Sequence, residues 1–224
     1  MSRLRLLDLF SGAGGAGMGY SRAGFDVVGV DIDPQPNYPF EFHQGDALEF
    51  LLEHGHEFDA IHASPPCQSF LSLGALNRAL GREYDYPNLI GPTRELLKSS
   101  GKPYVIENVQ DAKASLINPV RICGTALHLP LRRHRLFESN MPLIGLGCEH
   151  SRYTIPRYWT SYRPNGERRL STVVQVYGNG GDVHEWPKAM GIDWMTSDDL
   201  REAIPPAMTM FIGEQLVTEM KVSS

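Results

Sequence analysis

A glycine-rich turn directly after a short apolar run is the feature that most constrains what this chain can fold into. Residues 4–10 are apolar with one acid near the end, and residues 11–19 contain five glycines in nine positions. The apolar run predicts a buried strand, whereas the glycines exclude a strand and favour a tight turn that leads into a helix. This order is typical of open α/β sheets, whose ligands bind at the carboxyl ends of the strands.

Strands and helices alternate over the first half of the sequence. The predicted strands are residues 4–10, 26–30, 58–63 and 104–108, and the predicted helices are 47–54, 88–99 and 207–220. This alternation predicts an α/β fold with a mostly parallel sheet and helices on both faces. Helical periodicity fades after about residue 120, and residues 145–190 are predicted to be irregular or β-rich.

The charge of the chain is unevenly distributed. The net charge is −5, yet residues 131–170 contain eight arginines against three glutamates. A basic stretch on an acidic body is typical of a nucleic-acid contact confined to one face, although a solvated arginine-rich loop has the same composition.

Three cysteines, Cys67, Cys123 and Cys148, are too few and odd in number for a disulfide framework. No apolar run reaches the roughly 18 residues of a membrane helix, and the first residues lack the apolar stretch of a signal peptide. We therefore expect a cytoplasmic protein with free thiols, no membrane partner and a monomeric state.

Two acids follow predicted strands where a nucleotide-like ligand would bind. Asp31 is placed to accept hydrogen bonds from both hydroxyls of a ribose. Asp46 is placed to bind an exocyclic amine or, equally, to cap the helix that begins at residue 47. A glycine-rich loop alone serves many nucleotides, and a ribose does not separate a nicotinamide cofactor from S-adenosylmethionine.

Chemically reactive side chains follow two other strands. Cys67 lies in Ser-Pro-Pro-Cys-Gln, where two prolines fix the backbone of a loop and a thiolate can act as a nucleophile. Glu107 ends an apolar run, which predicts partial burial and a raised pKa. Arg133 and Arg135 share one face if they lie on a strand, and they could grip a carbonyl oxygen or a phosphate. A surface acid and a basic edge strand are the alternatives.

These motifs, in this order, resemble the cytosine-C5 DNA methyltransferase family. The motifs are Asp-Leu-Phe-Ser-Gly-Ala-Gly-Gly at 8–15, Pro-Pro-Cys-Gln at 65–68, Glu-Asn-Val at 107–109 and Arg-His-Arg at 133–135. The resemblance covers about the first 140 residues and implies a Rossmann-like, S-adenosylmethionine-dependent methyltransferase fold. It divides the chain into a catalytic and cofactor-binding domain at 1–140, a reduced target-recognition region at 141–204 and a C-terminal helix at 205–224 that returns to the catalytic domain.

The resemblance also implies a cofactor site for S-adenosylmethionine. Asp31 would hold the ribose, Ile32 would pack on the adenine ring, and Asp46 would bind the adenine amine. The remaining residues assigned to this site are Asp8, Phe10, Gly12, Gly15 and Pro66.

The implied reaction is methylation of carbon 5 of a cytosine flipped out of duplex DNA, as in restriction-modification. Cys67 would add to C6, Glu107 would stabilise protonation at N3, and Arg133 and Arg135 would position the base. Other readings are the same chemistry on tRNA and a catalytically silent nucleic-acid-binding protein. A nicotinamide-dependent oxidoreductase would offer no role for Pro-Cys-Gln.

Nucleic-acid contacts are expected from the loop after Cys67 and from the basic stretch. The assigned residues are Gln68, Ser69, Arg132, Arg152, Arg157 and Arg163. The chain departs from the family pattern at Leu131, where the family usually has glutamine, and in residues 204–209, which lack the expected asparagine. The short recognition region predicts a short or relaxed target sequence.

Cysteine and histidine residues in the second half raise the question of a metal. Cys148 and His150 are too few to hold one, and Cys123, His128 and His134 are not at zinc-finger spacing. The sequence therefore predicts no metal site.

Overall fold

The computed structural model describes residues 3–66, 88–148, 150, 158–162, 168–171, 173, 174, 176 and 183–222. A seven-stranded sheet forms its centre, with strands in the spatial order β3-β2-β1-β4-β5-β7-β6. Strands β1 to β5 are parallel, and β7 lies antiparallel between β5 and β6. In chain order the strands are β1 (Arg5–Leu9), β2 (Asp26–Asp31), β3 (Glu41–Gln44), β4 (Ala60–Ala63), β5 (Tyr104–Asn108), β6 (Val120–Cys123) and β7 (His134–Ser139).

Six α-helices are described around this sheet and in the region before the C-terminus. They are α1 (Gly15–Arg22), α2 (Ala47–His54), α3 (Ile90–Ser100), α4 (Trp186–Met190), α5 (Ser197–Glu202) and α6 (Pro206–Val222). Short 3₁₀ turns occupy Gly55–Glu57, Gln110–Ser115, Gly124–Leu127 and Val183–Glu185. None of the described helices has both the length and the apolar character that a bilayer span requires.

Helices cover both faces of the sheet, which explains the continuous apolar run of β1. Leu6 packs in a core with α1 and α6, whereas Leu7 and Leu9 pack in the opposite core with α2 and α3. Successive strand residues point to opposite faces, so a strand covered on both sides buries apolar side chains on both, and Asp8 is the buried polar exception in β1. The predicted α/β sheet with helices on both faces is confirmed.

The C-terminal helix packs tightly against α1. Thr209 Oγ1 donates a hydrogen bond to the carbonyl oxygen of Ala16 at 2.9 Å. A β carbon on Gly19 would overlap Thr209 Oγ1 and the Pro206 carbonyl oxygen, so the contact requires glycine on α1. The helix predicted at residues 207–220 is thus confirmed within one or two residues, and it returns to the sheet.

A third, smaller core lies in the second half of the chain. Trp186 is fully buried there. Trp194 packs against the same cluster, and its Nε1 donates a hydrogen bond to the carbonyl oxygen of Ala13 at 2.9 Å. The other buried members are Leu131, Val174, Val176, Ala189, Met190, Ile192 and Leu200. This core therefore connects directly to the glycine-rich turn after β1.

The prediction of irregular or β-rich structure for 145–190 is wrong at Trp186–Met190, which forms α4. Pro187 suits the first turn of a helix, and Gly191 ends it in the left-handed conformation at φ 71°. Elsewhere in this region a two-stranded antiparallel pair, β8 (Tyr158–Tyr162) and β9 (Arg168–Ser171), agrees with the prediction.

Candidate active site

The carboxyl ends of β1 to β5 and the start of β7 meet at one edge of the sheet, and loops at this edge are joined by backbone hydrogen bonds. Ser64 N donates to Leu9 O at 3.1 Å, and Ser11 N donates to Val30 O at 3.1 Å. The sequence motifs after separate strands are therefore brought together, as open α/β sheets require.

The glycine-rich turn has left-handed backbone at Phe10, Gly12 and Gly14, with φ values of 56°, 49° and 85°. A β carbon at Gly12 would meet no atom within 4 Å, so this part of the turn faces open space. Gly15, in contrast, lies against the Ile204 carbonyl oxygen, where a β carbon would be only 2.5 Å away. Gly12 is thus open to a ligand, while Gly15 allows the close approach of the C-terminal segment.

Asp31 organises the end of β2. Its Oδ2 accepts a hydrogen bond from Gly12 N at 2.8 Å, and its Oδ1 accepts one from Asp33 N at 3.1 Å. The next residue, Ile32, exposes 65% of its surface despite being apolar. An exposed apolar side chain beside an oriented carboxylate is what the predicted adenosine site needs, although the ribose and adenine roles stay predictions.

Asp46 caps helix α2. Its Oδ1 accepts hydrogen bonds from Leu48 N at 2.7 Å and Glu49 N at 3.0 Å. The capping alternative of the sequence analysis is therefore present, and the additional role towards an adenine amine stays a prediction.

Asp8 is fully buried in β1 beneath this edge. Tyr38 donates its hydroxyl hydrogen to Asp8 Oδ2 at 3.2 Å, and Asp8 Oδ1 has no hydrogen-bond partner within the described part of the chain. Burial raises the pKa of Asp8 to about 8, with the charge of Asp31 adding to the effect and the Tyr38 hydrogen bond opposing it. Asp8 therefore carries a proton at neutral pH and can donate a hydrogen bond.

Glu107 and Arg135 form a buried ion pair at the other side of the same edge. Arg135 Nε lies 2.8 Å from Glu107 Oε1, and the two side chains expose 11% and 6% of their surface. Burial raises the pKa of Glu107 above its ordinary value, while Arg135, Arg133 and a hydrogen bond from Ser64 partly offset this. The raised pKa means that this carboxyl releases its proton at a higher pH than an exposed glutamate does, as the sequence predicted.

Asn108 connects Glu107 to the proline loop. Its Nδ2 donates to Pro65 O at 2.9 Å, and its Oδ1 accepts from Val109 N at 2.9 Å. Pro65 is buried and Pro66 is exposed at the edge. Cys67, Gln68 and Ser69 lie outside the described residues, so their roles stay predictions.

Arg133 has a different set of partners from Arg135. Its guanidinium donates to the carbonyl oxygens of Val176 at 3.0 Å and Leu200 at 3.4 Å, and also to that of Arg201. These bonds fasten the start of β7 to the third core. Arg133 thus has a structural role that the sequence did not predict, and its contact with a base stays a prediction.

The basic residues assigned to nucleic acid are only partly described. Arg132 is exposed and donates to His150 Nδ1 at 3.0–3.3 Å. Arg152, Arg157 and Arg163 lie outside the residues whose side chains the structure describes.

His62 is a site residue that the sequence analysis missed. It is fully buried in β4, with Nδ1 2.9 Å from the Tyr20 hydroxyl and Nε2 2.8 Å from Ser64 Oγ. Burial lowers its pKa to about 3, so the ring is neutral. The available signal was a polar residue inside the apolar run Ala60–Ala63, immediately before the proline loop.

The sheet order with an antiparallel β7, together with a glycine-rich turn after β1, defines the fold of S-adenosylmethionine-dependent methyltransferases. The fold of methyltransferase EhMeth of Entamoeba histolytica is similar, with a TM-score of 0.62 at 15% identity, over 100% of this chain and 99% of that one. At this identity the likeness concerns the fold alone.

Sequence comparison identifies the family within this class. The model of the C-5 cytosine-specific DNA methylase family matches residues 4–115, and the chain belongs to that family. The type II methyltransferase M.HgiDI of Herpetosiphon aurantiacus is 30% identical over 127 residues, which are 51% of this chain and 40% of that protein. M.XorII of Xanthomonas oryzae pv. oryzae is 27% identical over 235 residues, covering 87% of this chain and 50% of the relative. The chain thus spans about half or less of the length of these two relatives.

Proposed function

We propose that this chain transfers a methyl group from S-adenosylmethionine to C5 of cytosine in DNA, with Cys67 as a covalent nucleophile. The observation that supports this most directly is the buried Glu107–Arg135 pair at the edge where Asn108 holds the loop that leads to Cys67. A nucleophile and an acid on one edge are what addition to a cytosine ring needs.

The ends of β1, β2 and β3 fit a nucleoside-bearing cofactor. The open space at Gly12, the exposed apolar side chain of Ile32 and the lone oxygen of buried Asp8 support this fit. Asp31 would hold the ribose, Ile32 would pack on the adenine, and Asp46 would face its amine, while Phe10 and Pro66 would border the site. When bound there, S-adenosylmethionine supplies the methyl group.

Glu107 acts on the cytosine ring from the side opposite the thiol. Its raised pKa lets it share a proton with N3, which makes C6 a better electrophile for Cys67. Arg135 holds the carboxyl in place and can contact the ring carbonyl. Attack at C6 comes from above the ring, so the base must leave the DNA stack, at a cost of a few kcal/mol.

DNA is the proposed substrate because the chain belongs to a DNA methylase family and resembles type II methyltransferases. The basic stretch between residues 131 and 170 would contact the phosphates. Arg132, Arg152, Arg157 and Arg163 are the proposed contacts there, with Gln68 and Ser69 nearer the base.

The test is incubation with S-adenosylmethionine and duplex DNA that contains 5-fluorocytosine. Fluorine cannot leave C5 as a proton does, so a covalent protein–DNA complex is expected to accumulate. Cys67→Ser should abolish the complex, and DNA with ordinary cytosine should give none. No complex with the unaltered chain, or an equal complex with Cys67→Ser, would refute the proposal. A complex with tRNA and none with DNA would assign the same chemistry to RNA.

A further inference from the structure

Four potential metal ligands from separate parts of the sequence meet beside the outermost strand of the sheet, where β6 ends and β7 begins. One ligand atom from each of Cys123, His134, Cys148 and His150 lies within 4.8 Å of every other. His150 Nε2 is 3.2 Å from Cys123 Sγ, and His134 Nε2 is 3.2 Å from Cys148 Sγ. None of the four side chains has a role in the proposed active site, although His134 lies between Arg133 and Arg135.

Strand pairing explains how the first two ligands meet. Cys123 is the last residue of β6 and His134 is the first of β7, and they are direct partners in the antiparallel ladder. Antiparallel partners point to the same face with β carbons about 5 Å apart. The ten residues between them form the connecting loop, so the two ligands are far apart in the sequence although they are neighbours in the sheet.

The other two ligands arrive on the segment that follows β7. This segment runs back along β6, where Leu146 N donates to Arg121 O at 3.0 Å and Gly145 packs against Val120 and Arg121. It therefore delivers Cys148 and His150 to the end of the β6–β7 pair.

The distances agree with a tetrahedral zinc site. Zinc–sulfur bonds of about 2.3 Å and zinc–nitrogen bonds of about 2.0 Å place sulfur and nitrogen about 3.5 Å apart around the ion. The two observed sulfur–nitrogen distances of 3.2 Å are close to that value. Two thiolates also balance the charge of a divalent cation, and thiolate with imidazole is a donor set that favours zinc over calcium or magnesium.

We propose that Cys123, His134, Cys148 and His150 together bind one structural Zn²⁺ ion. The sequence predicted no metal because Cys148 and His150 are only two neighbouring ligands and the other candidates are not at zinc-finger spacing. Strand pairing supplies the other two. A set of four protein ligands leaves no open position for a substrate, which is typical of structural zinc.

Neighbouring side chains support one of the proposed ligands, Cys123, and constrain another, His150. Thr125 Oγ1 lies 3.0 Å from Cys123 Sγ, so its hydroxyl can donate to a zinc-bound thiolate. Arg132 donates to His150 Nδ1, and this bond must break when Nε2 binds zinc, because Nδ1 then carries the hydrogen. Arg132 is exposed and can turn away, so zinc binding releases it towards solvent or phosphate.

The proposed ion would hold the basic stretch, residues 131–170, to the sheet at residues 148 and 150. The chain from residue 151 onwards carries five of the eight arginines of the basic stretch. A metal joining residues 148 and 150 to β6 and β7 would fix where that segment leaves the sheet. This role does not depend on the proposed methyl transfer.

The test measures bound metal directly. The chain, without a histidine tag, is produced with zinc in the medium, purified without chelator and examined by elemental mass spectrometry. We expect about one zinc per chain, and exchange for cobalt(II) should give the intense visible absorption of tetrahedral thiolate-bound cobalt. Cys148→Ser should lower zinc affinity at least 100-fold in competition with a chromophoric chelator, while Cys148→His should retain most of it.

Two variants serve as matched controls. His128→Asn changes a histidine in the same β6–β7 loop, where left-handed backbone at φ 59° suits asparagine, and should keep one zinc. Cys67→Ser should also keep it. A zinc-free unaltered chain, full zinc in Cys148→Ser, or a Cys123–Cys148 disulfide found by mass in the freshly purified chain would overturn the proposal. None of these measurements uses DNA or cofactor, so they stand apart from the test of methyl transfer.

Discussion

His62 Nε2 lies 2.8 Å from Ser64 Oγ, and Nδ1 of the same buried ring lies 2.9 Å from the Tyr20 hydroxyl, so one imidazole joins Tyr20 to the serine whose hydroxyl lowers the pKa of Glu107. The ring is neutral, so one of its nitrogens carries a hydrogen and the other accepts one. In the tautomer with hydrogen on Nε2, the ring accepts from the Tyr20 hydroxyl and donates to Ser64 Oγ, which leaves the Ser64 hydroxyl able to donate to the Glu107 carboxyl. In that tautomer His62 and Tyr20 orient the Ser64 hydroxyl, which opposes the rise that burial causes in the pKa of Glu107.

Ser64→Ala should shift the pH dependence of methyl transfer. A hydrogen bond to the carboxylate favours its charged form, so removing the hydroxyl raises the pKa of Glu107 further. If Glu107 works while protonated, the alkaline limb of the single-turnover rate should move to higher pH. Ser99→Ala, in an exposed hydroxyl that bonds only its own helix, should leave the profile unchanged. An unmoved or acid-shifted limb in Ser64→Ala would contradict this account.

Arg94→Met should be strongly destabilising. Arg94 binds buried Glu138 with two nitrogens, one of them 2.7 Å from Oε2, and Ile117 N also donates to that oxygen. Loss of the guanidinium leaves a buried carboxylate without its counter-charge, which costs about 3–5 kcal/mol of unfolding free energy. Lys98→Met breaks the exposed pair with Glu95 and should cost less than about 1 kcal/mol. Urea unfolding measures both, and equal losses would show that burial does not distinguish the pairs.

Gly19→Ala should separate α1 from α6. The added methyl group would overlap Thr209 Oγ1 and the Pro206 carbonyl oxygen, so we expect a loss of roughly 2–3 kcal/mol in thermal or urea unfolding. Gly91→Ala is the matched control, because Gly91 is also helical but has no atom within 4 Å of its added carbon. It should raise stability by about 0.5–1 kcal/mol. A tolerated alanine at residue 19 would mean that the two helices can shift apart without cost.

Periodicity predicted the central sheet because its strands are covered on both faces and contain little besides apolar residues. Tyr104–Asn108 was predicted with its observed bounds. Strand β3 was missed, since Glu41–Gln44 at the sheet edge is largely exposed and polar. Strand β6 was also missed, because its four residues are short and only Ile122 and Cys123 are buried.

The site could be predicted only where a motif is contiguous in the sequence. Glu107 was found because it ends an apolar strand, but its partner Arg135 arrives from an antiparallel strand whose register the sequence does not reveal. The contacts of Arg133 with Val176 and Leu200 depend on a small core assembled from distant segments. Tertiary packing, not local pattern, decides such pairs.

Asp8→Asn should change how stability depends on pH in the absence of cofactor. The folded pKa of Asp8 is about 8 against an ordinary value of 3.8, so folding keeps a proton that the unfolded chain releases. The associated stability is fully present below pH 4, declines as pH rises towards 8 and is lost above it, at a rate of roughly 1.4 kcal/mol per pH unit at most. Asparagine does not titrate, so the melting temperature of Asp8→Asn relative to the unaltered chain should rise between pH 5 and 8 and then level off. Asp33→Asn, at an exposed position near the same edge, should run parallel to the unaltered chain. A constant difference between Asp8→Asn and the unaltered chain would show that Asp8 is already charged in the folded protein, and would remove its proposed part in receiving a cofactor as a hydrogen-bond donor.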